Sequence, residues 1–129
     1  MKHLFVPFIL AKKLKESGFN EPCIAGYDEY TEEGEEIELK SIVNEFGILS
    51  GIVPNQLAYT ISAPTFQQVT DWLREKHNLH AEVNFVWIDQ PMYLPQIVYD
   101  SVTVEMESES DYYSAMNKAI LKALEYKTL

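Results

Sequence analysis

The chain of 129 residues is 47% apolar and 23% charged, the proportions of a packed globular unit rather than a disordered tail. Twenty Asp and Glu against ten Lys and Arg leave a formal charge of −10, which repels phosphate backbones and anionic lipid and sets nucleic acid and membrane surfaces aside as partners. Cys23 is the only cysteine, so no internal disulfide forms, and a chain of this length buries about two thirds of its surface without one.

From the amino end, the apolar run at residues 4–11 contains Pro7 and passes directly into Lys12, Lys13 and Lys15. It reads as an amphipathic helix with proline in its first turn rather than as a secretory signal. That helix is predicted over residues 7–17, with Leu10, Ala11 and Leu14 on one face, Gly18 as its left-handed stop and Phe19 folding back on it. Residues 23–30 read as a strand, followed by a turn at Gly34. Residues 37–46 fit both the helical and the strand period, and both readings stay open. A short strand at 57–61 leads to Thr65 and Gln68, spaced as a capping box. The helix they open presents Phe66, Val69, Trp72 and Leu73 on one face and Gln67, Asp71, Arg74 and Glu75 on the other, ending at His77 or Asn78. In residues 81–88, Ala81, Val83, Phe85 and Trp87 alternate with Glu82 and Asn84 as in a half-buried strand. Residues 89–95 read as a proline-containing reversal, and 97–106 as the partner strand, with Val98, Val102, Val104 and Met106 on one face. Asp111 caps a last helix running to about Tyr126.

This order, α-β-β-(β)-α-β-β-α, predicts an α+β fold in which three helices pack on a mostly antiparallel sheet, with residues 1–129 as a single domain. Residues 1–62 and 63–129 each carry five basic and ten acidic side chains, so charge does not divide the chain. No segment has the length of apolar sequence needed to span a bilayer, and a single unpaired cysteine suits a reducing, cytoplasmic setting.

Three blocks, FVPFILAKKLKESGFNEPC, SAPTFQQVTDWLREKHNLH and DYYSAMNKAILKALEY, cover about half of the chain. In this order they resemble short uncharacterised proteins of prophages and mobile elements of gut Bacteroidetes. That group carries no established activity, so the resemblance implies a genetic setting and a compartment rather than a reaction; residues 31–56 lie outside it.

Candidate chemistry is sparse. His77 and His80 stand three apart beside Glu75 and Glu82, but two imidazoles do not complete a zinc site, and His77 reads as a protonated cap on a helix C-terminus. No metal and no cofactor are expected. The Glu-rich run around Gly34 lacks calcium-loop spacing, and Glu105, Glu107, Glu109 and Asp111 follow the strand period, which puts them on one outward face and places negative charge at the start of the last helix. Cys23 reads as buried at a strand start, and no phosphate-cradling glycine motif is present. Tyr93, Tyr99, Tyr112, Tyr113 and Tyr126 are assigned mostly to helix–sheet packing. The order of helix, strands and helix also occurs in double-stranded RNA-binding domains, but only Lys2, Lys12, Lys13 and Lys15 form a net-basic patch here.

No catalytic set emerges, and the expected role is that of a non-enzymatic accessory protein acting by contact with a protein partner or by self-association. Met92, Tyr93 and Leu94, held between Pro91 and Pro95, are the expected contact residues, presented on a stiffened loop; the alternative is that Tyr93 and Leu94 fold back to cover the open face of the sheet. Two other functions stay open: an acidic decoy or antitoxin-like factor that binds a basic nucleic-acid-binding protein, and a small enzyme with a site near His77 and His80.

Overall fold

The computed structural model describes residues 2–28, 39–41 and 60–127. These form an α+β fold in the expected order: α1 (Phe8–Glu16), β1 (Ala25–Asp28), β2 (Leu39–Ser41), β3 (Thr60–Ser62), α2 (Phe66–His77), β4 (Leu79–Ile88), β5 (Gln90–Tyr99), β6 (Val102–Glu105) and α3 (Tyr112–Lys127). The strands divide between two antiparallel sheets, β2-β1-β3 and β4-β5-β6, one in each of two compact units, residues 1–65 and 66–129. The expected turn at Gly34, most of residues 37–46 and the first part of the 57–61 strand lie outside the described residues.

In the first unit, the sequence pattern of α1 is matched by its burial: Leu10, Ala11 and Leu14 are buried while Ile9, Lys12 and Lys13 are exposed. Pro7 stands one residue before the helix, in extended conformation. Gly18, at φ 91°, ends it: its N–H bonds the Lys15 carbonyl at 3.1 Å and the Phe19 N–H bonds that of Leu14 at 2.9 Å. This is a Schellman stop, and buried Phe19 is its apolar partner. Val6, just before α1, is held twice. Its N–H donates to the Pro64 carbonyl at 3.0 Å and its carbonyl accepts the buried Tyr27 hydroxyl at 2.8 Å, tying the helix entry to β1. The Tyr27 ring meets Phe8 edge-on at 5.5 Å, and burial pushes the Tyr27 hydroxyl above its usual pKa.

In the second unit, α2 buries Phe66, Val69, Trp72 and Leu73 as expected, and Asp71 on its outer face accepts from Arg74 at 2.8 Å and Gln67 at 3.0 Å. Asp111 opens α3, its carboxylate accepting the Ser114 N–H at 2.9 Å and hydroxyl at 3.1 Å, which satisfies an orphan donor of the first turn. Ala115, Met116, Ala119, Ile120, Ala123 and Leu124 are the buried stripe of α3. Ile97 lies opposite Ala81, both on the buried face of the sheet.

Residues 89–95 are not a connecting loop. The reversal is Asp89 alone, at φ 59°, with Ile88 opposite Gln90; the short Asp side chain tolerates the left-handed region there. Pro91, Met92, Tyr93, Leu94 and Pro95 belong to β5, and Val83 pairs with Pro95 rather than with a residue further on. The expected strand over 97–106 is in turn broken by a two-residue turn. Asp100 and Ser101 both take positive φ, 46° and 67°, as a type I′ hairpin requires. Val98 therefore lies opposite Thr103, and Ile97 shares a face with its partner Val104. Residues 106–108 leave the strand, so Glu105, Glu107 and Glu109 do not form one strand face.

Replacing Gly18 with alanine places a Cβ in the left-handed region and is expected to cost about 1 to 2 kcal/mol. Among the described residues, apart from its chain neighbours, no heavy atom lies within 4 Å of the new Cβ, so the loss reports backbone strain rather than a clash. Denaturant unfolding of the variant measures it, with Gly18→Asn losing less.

Candidate interaction surface

The β4–β5 ribbon is ten residues on each strand and carries prolines in the central strand of its sheet, where a missing N–H ordinarily breaks a ladder. The Tyr93 N–H and carbonyl both bond Glu109, each at 2.8 Å, and the Pro95 carbonyl accepts the Met106 N–H at 3.0 Å. A residue of an antiparallel strand turns both backbone groups to the same side. The odd-numbered residues of β5 therefore face away from β4, and the even-numbered residues, Gln90, Met92, Leu94, Gln96 and Val98, make the ladder to it. Pro91 and Pro95 sit at odd positions and cost that ladder nothing.

Cross-strand register puts Val83, Phe85 and Trp87 of β4 on the same face as Pro95, Tyr93 and Pro91 of β5. On this face an aromatic chain runs from the ribbon into the unit. Phe85 meets Tyr93 at 5.9 Å, Tyr93 meets Tyr112 at 5.9 Å, Tyr112 meets Tyr113 at 5.2 Å and Tyr113 meets Phe66 at 5.7 Å. Tyr99 meets Tyr126 at 5.9 Å at the other end of α3. The expected packing role of these tyrosines is thus visible as helix–sheet contact. On the opposite face Gln96 donates to Glu82 at 2.9 Å, while Val86, Met92 and Leu94 are half-buried.

Among the described residues of the second unit, the large apolar groups most open to solvent are Trp87, 70% exposed, Phe85, 61%, and Ile88, 59%; in the first unit Ile9 of α1 is 63% exposed. Met92, Tyr93 and Leu94 are half-buried in β5, with the Tyr93 ring turned onto Tyr112 and Phe85. The alternation of residues 81–87 places Phe85 and Trp87 in a half-buried row, yet both stand in solvent because α3 begins at the level of Tyr93 and leaves the tip of the ribbon bare. One signal for this lay in the sequence: alternation stops at Phe85-Val86-Trp87-Ile88, and a ribbon apolar on both faces must either be covered twice or expose one. A second signal is charge. Residues 78–117 contain no Lys or Arg, only His80 among bases, and seven acids, Glu82, Asp89, Asp100, Glu105, Glu107, Glu109 and Asp111. Lys118 reaches back from α3 to the Glu109 carboxylate at 2.9 Å and to the Glu107 carbonyl at 3.1 Å.

His77 ends α2 as expected, in surroundings that oppose the expected protonation. Its ring stands edge-on to Trp72 at 4.6 Å, and the Lys127 ammonium lies 5.9 Å from the Trp72 ring centre. Desolvation, then the charge of Lys127, hold the imidazole below its ordinary pKa of 6.5. Asn78, at φ 52°, separates α2 from β4, where His80 pairs with Val98. Among the described residues no three His, Cys, Asp or Glu side chains are gathered as a metal site. Cys23 belongs to the first unit and is buried; its thiol donates to the Glu21 carbonyl at 3.4 Å. Burial pushes its pKa up to about 11 against the help of a Ser62 hydrogen bond, with Glu21 adding to the rise, so little thiolate exists at neutral pH.

No helix of the described residues is long and apolar enough to cross a membrane. No family model matches the chain, and neither a curated protein nor a solved structure matches it.

The two tryptophans should respond oppositely to truncation. Trp72, 7% exposed, is expected to cost about 3 to 5 kcal/mol as Trp72→Ala, whereas Trp87→Ala should stay within about 0.5 kcal/mol; thermal and denaturant unfolding decide. A titration tests His77. Because its folded pKa lies below 6.5, its contribution to stability is present above that pH and is lost as pH falls through the folded value, where the unfolded chain takes up a proton first. Lys127→Gln should raise the His77 pKa seen by NMR and shift this loss; a His77 pKa above 6.5 in the parent protein overturns the reading.

Proposed function

We propose that the protein is a non-enzymatic accessory factor that works by contact with another protein through the distal half of the β4–β5 ribbon. The observation that carries this reading is the solvent exposure of Phe85 and Trp87 on one face of the hairpin tip and of Ile88 on the other. Large apolar groups standing together in water mark interaction sites, and Trp and Phe are enriched at interface centres. Met92, Tyr93 and Leu94 take part as the support of that surface: the Tyr93 ring backs Phe85 and Met92 lies opposite Val86. A cytoplasmic location in a phage or mobile-element setting is part of the proposal and rests on the unpaired, buried cysteine and on the resemblance of the three sequence blocks.

A second reading, an acidic factor that occupies a basic nucleic-acid-binding protein, is favoured by one observation, the run of residues 78–117 that holds seven acids and no Lys or Arg. Such a surface speeds encounter with a cationic partner and makes the encounter salt-sensitive.

Two triple variants test the proposal together. Replacing Phe85, Trp87 and Ile88 with serine should leave the melting temperature within a few degrees and abolish cross-linking to partner proteins in an extract of the native cell. Replacing Met92, Tyr93 and Leu94 with serine should lower the melting temperature, since those side chains are half-buried. Undiminished cross-linking by the first variant, with its fold intact, overturns the contact surface.

A further inference from the structure

The contact reading leaves open how a partner would be held, and the backbone of β4 supplies an answer that rests on that reading and goes beyond it. Among the described residues β4 is the outermost strand of its sheet. Its even-numbered residues face β5, for they lie opposite the even-numbered residues of β5 that make the ladder. The N–H and carbonyl groups of Val83, Phe85 and Trp87 accordingly point outward from the sheet. Natural edge strands are usually protected by proline, by charge or by a bulge. Between Val83 and Ile88 this strand has no proline and no charged residue, and its register with β5 runs without a bulge. The opposite edge is different: β6 has four residues, the remaining outward positions of β5 are taken by Glu109 and Met106, and Pro91 offers no N–H.

We propose that the outer edge of β4 accepts an added strand from another protein, an extended segment in which apolar residues alternate with Lys or Arg. Backbone hydrogen bonds to Val83, Phe85 and Trp87 hold the segment, and its apolar side chains pack beside the Phe85 and Trp87 rings. Charge selects its other face. Glu82 and Asp89 bracket the uncharged stretch, and the sheet with its connections carries seven acids and no Lys or Arg. A second copy of this chain would bring its own Glu82 and Asp89 to this edge and no Lys or Arg from residues 78–117, so self-pairing is opposed where a cationic strand is attracted. Strand addition takes affinity from the main chain and specificity from alternate side chains, which is the division of labour this edge is built for.

The full-length protein is titrated with a short capped peptide alternating Lys with Val, while amide exchange and chemical shifts are followed by NMR. The expected result is an alternating signature: the Val83, Phe85 and Trp87 amides gain about tenfold or more protection, whereas Asn84, Val86 and Ile88, already turned to β5, do not change. Trp87→Ser should weaken binding about tenfold or more, and raising ionic strength from about 0.05 M to about 0.5 M should weaken it comparably. A peptide N-methylated on the amides of its pairing edge should fail to bind. Equal binding by that peptide, or protection without alternation, means docking on a face and overturns strand addition. Equal binding by a peptide with Glu in place of Lys overturns the charge assignment, and a dimer of the free protein that protects the same amides assigns the edge to a second copy instead. Absence of peptide binding, while the serine variant of Phe85, Trp87 and Ile88 loses its cross-links, overturns this inference and leaves the contact reading standing.

Discussion

Every backbone N–H that β5 gives to β4 comes from an even-numbered residue, and both prolines of that strand stand at odd numbers. The consequences reach through the second unit. A ladder of ten paired residues on each strand survives two residues that cannot donate, and the outward side of β5 closes on Met106 and Glu109, which brings the chain to Asp111 and the start of α3. The same parity turns the odd-numbered backbone groups of β4 away from the sheet, creating its open edge. Had either proline fallen one position earlier or later, it would have removed a ladder bond or, through a one-residue slip that avoids this loss, brought the opposite side-chain face of β5 inward.

Length decides what this ribbon leaves uncovered. Ten strand residues rise about 33 Å, whereas the sixteen residues of α3 rise about 24 Å. The helix is pinned at Tyr112 against Tyr93 and at Tyr126 against Tyr99, so it spans the inner part of β5 and ends before the hairpin tip. Phe85 sits at the boundary, its ring touching the last covered tyrosine and its other side in water. Trp87, Ile88 and Pro91 lie beyond it. The apolar tip is therefore a geometric remainder of a long hairpin under a shorter helix, carried by strands paired to the turn.

Electrostatics act at two scales. Within the second unit, burial and the charge of Lys127 hold the His77 pKa down, in the direction opposite to that favoured by a helix C-terminus alone. Across residues 78–117 the one-sided charge is a property of the sheet and its connections, hidden when the chain is divided into halves of equal net charge. Lys118 compensates Glu109 locally and leaves the rest of the acidic surface as it is.

The sequence by itself determined the α+β class, the order of the elements, the buried faces of α1, α2 and α3, the glycine stop at Gly18 and the Asp111 cap. Each of these depends on residues a few positions apart, where helical spacing and left-handed backbone preferences act directly. Tertiary structure decided the rest. Proline in residues 89–95 reads locally as a loop, and only the side to which its missing N–H points makes it a strand. Asp100-Ser101 closes a hairpin without the glycine that usually announces one, because both flanking strands had first to be held in register. Phe85 and Trp87 alternate like buried residues, and their exposure follows from where α3 starts, a distance no local pattern encodes. His77 has the position of a charged cap, but its pKa is lowered by burial and by Lys127, fifty residues along the chain, which only packing brings to it.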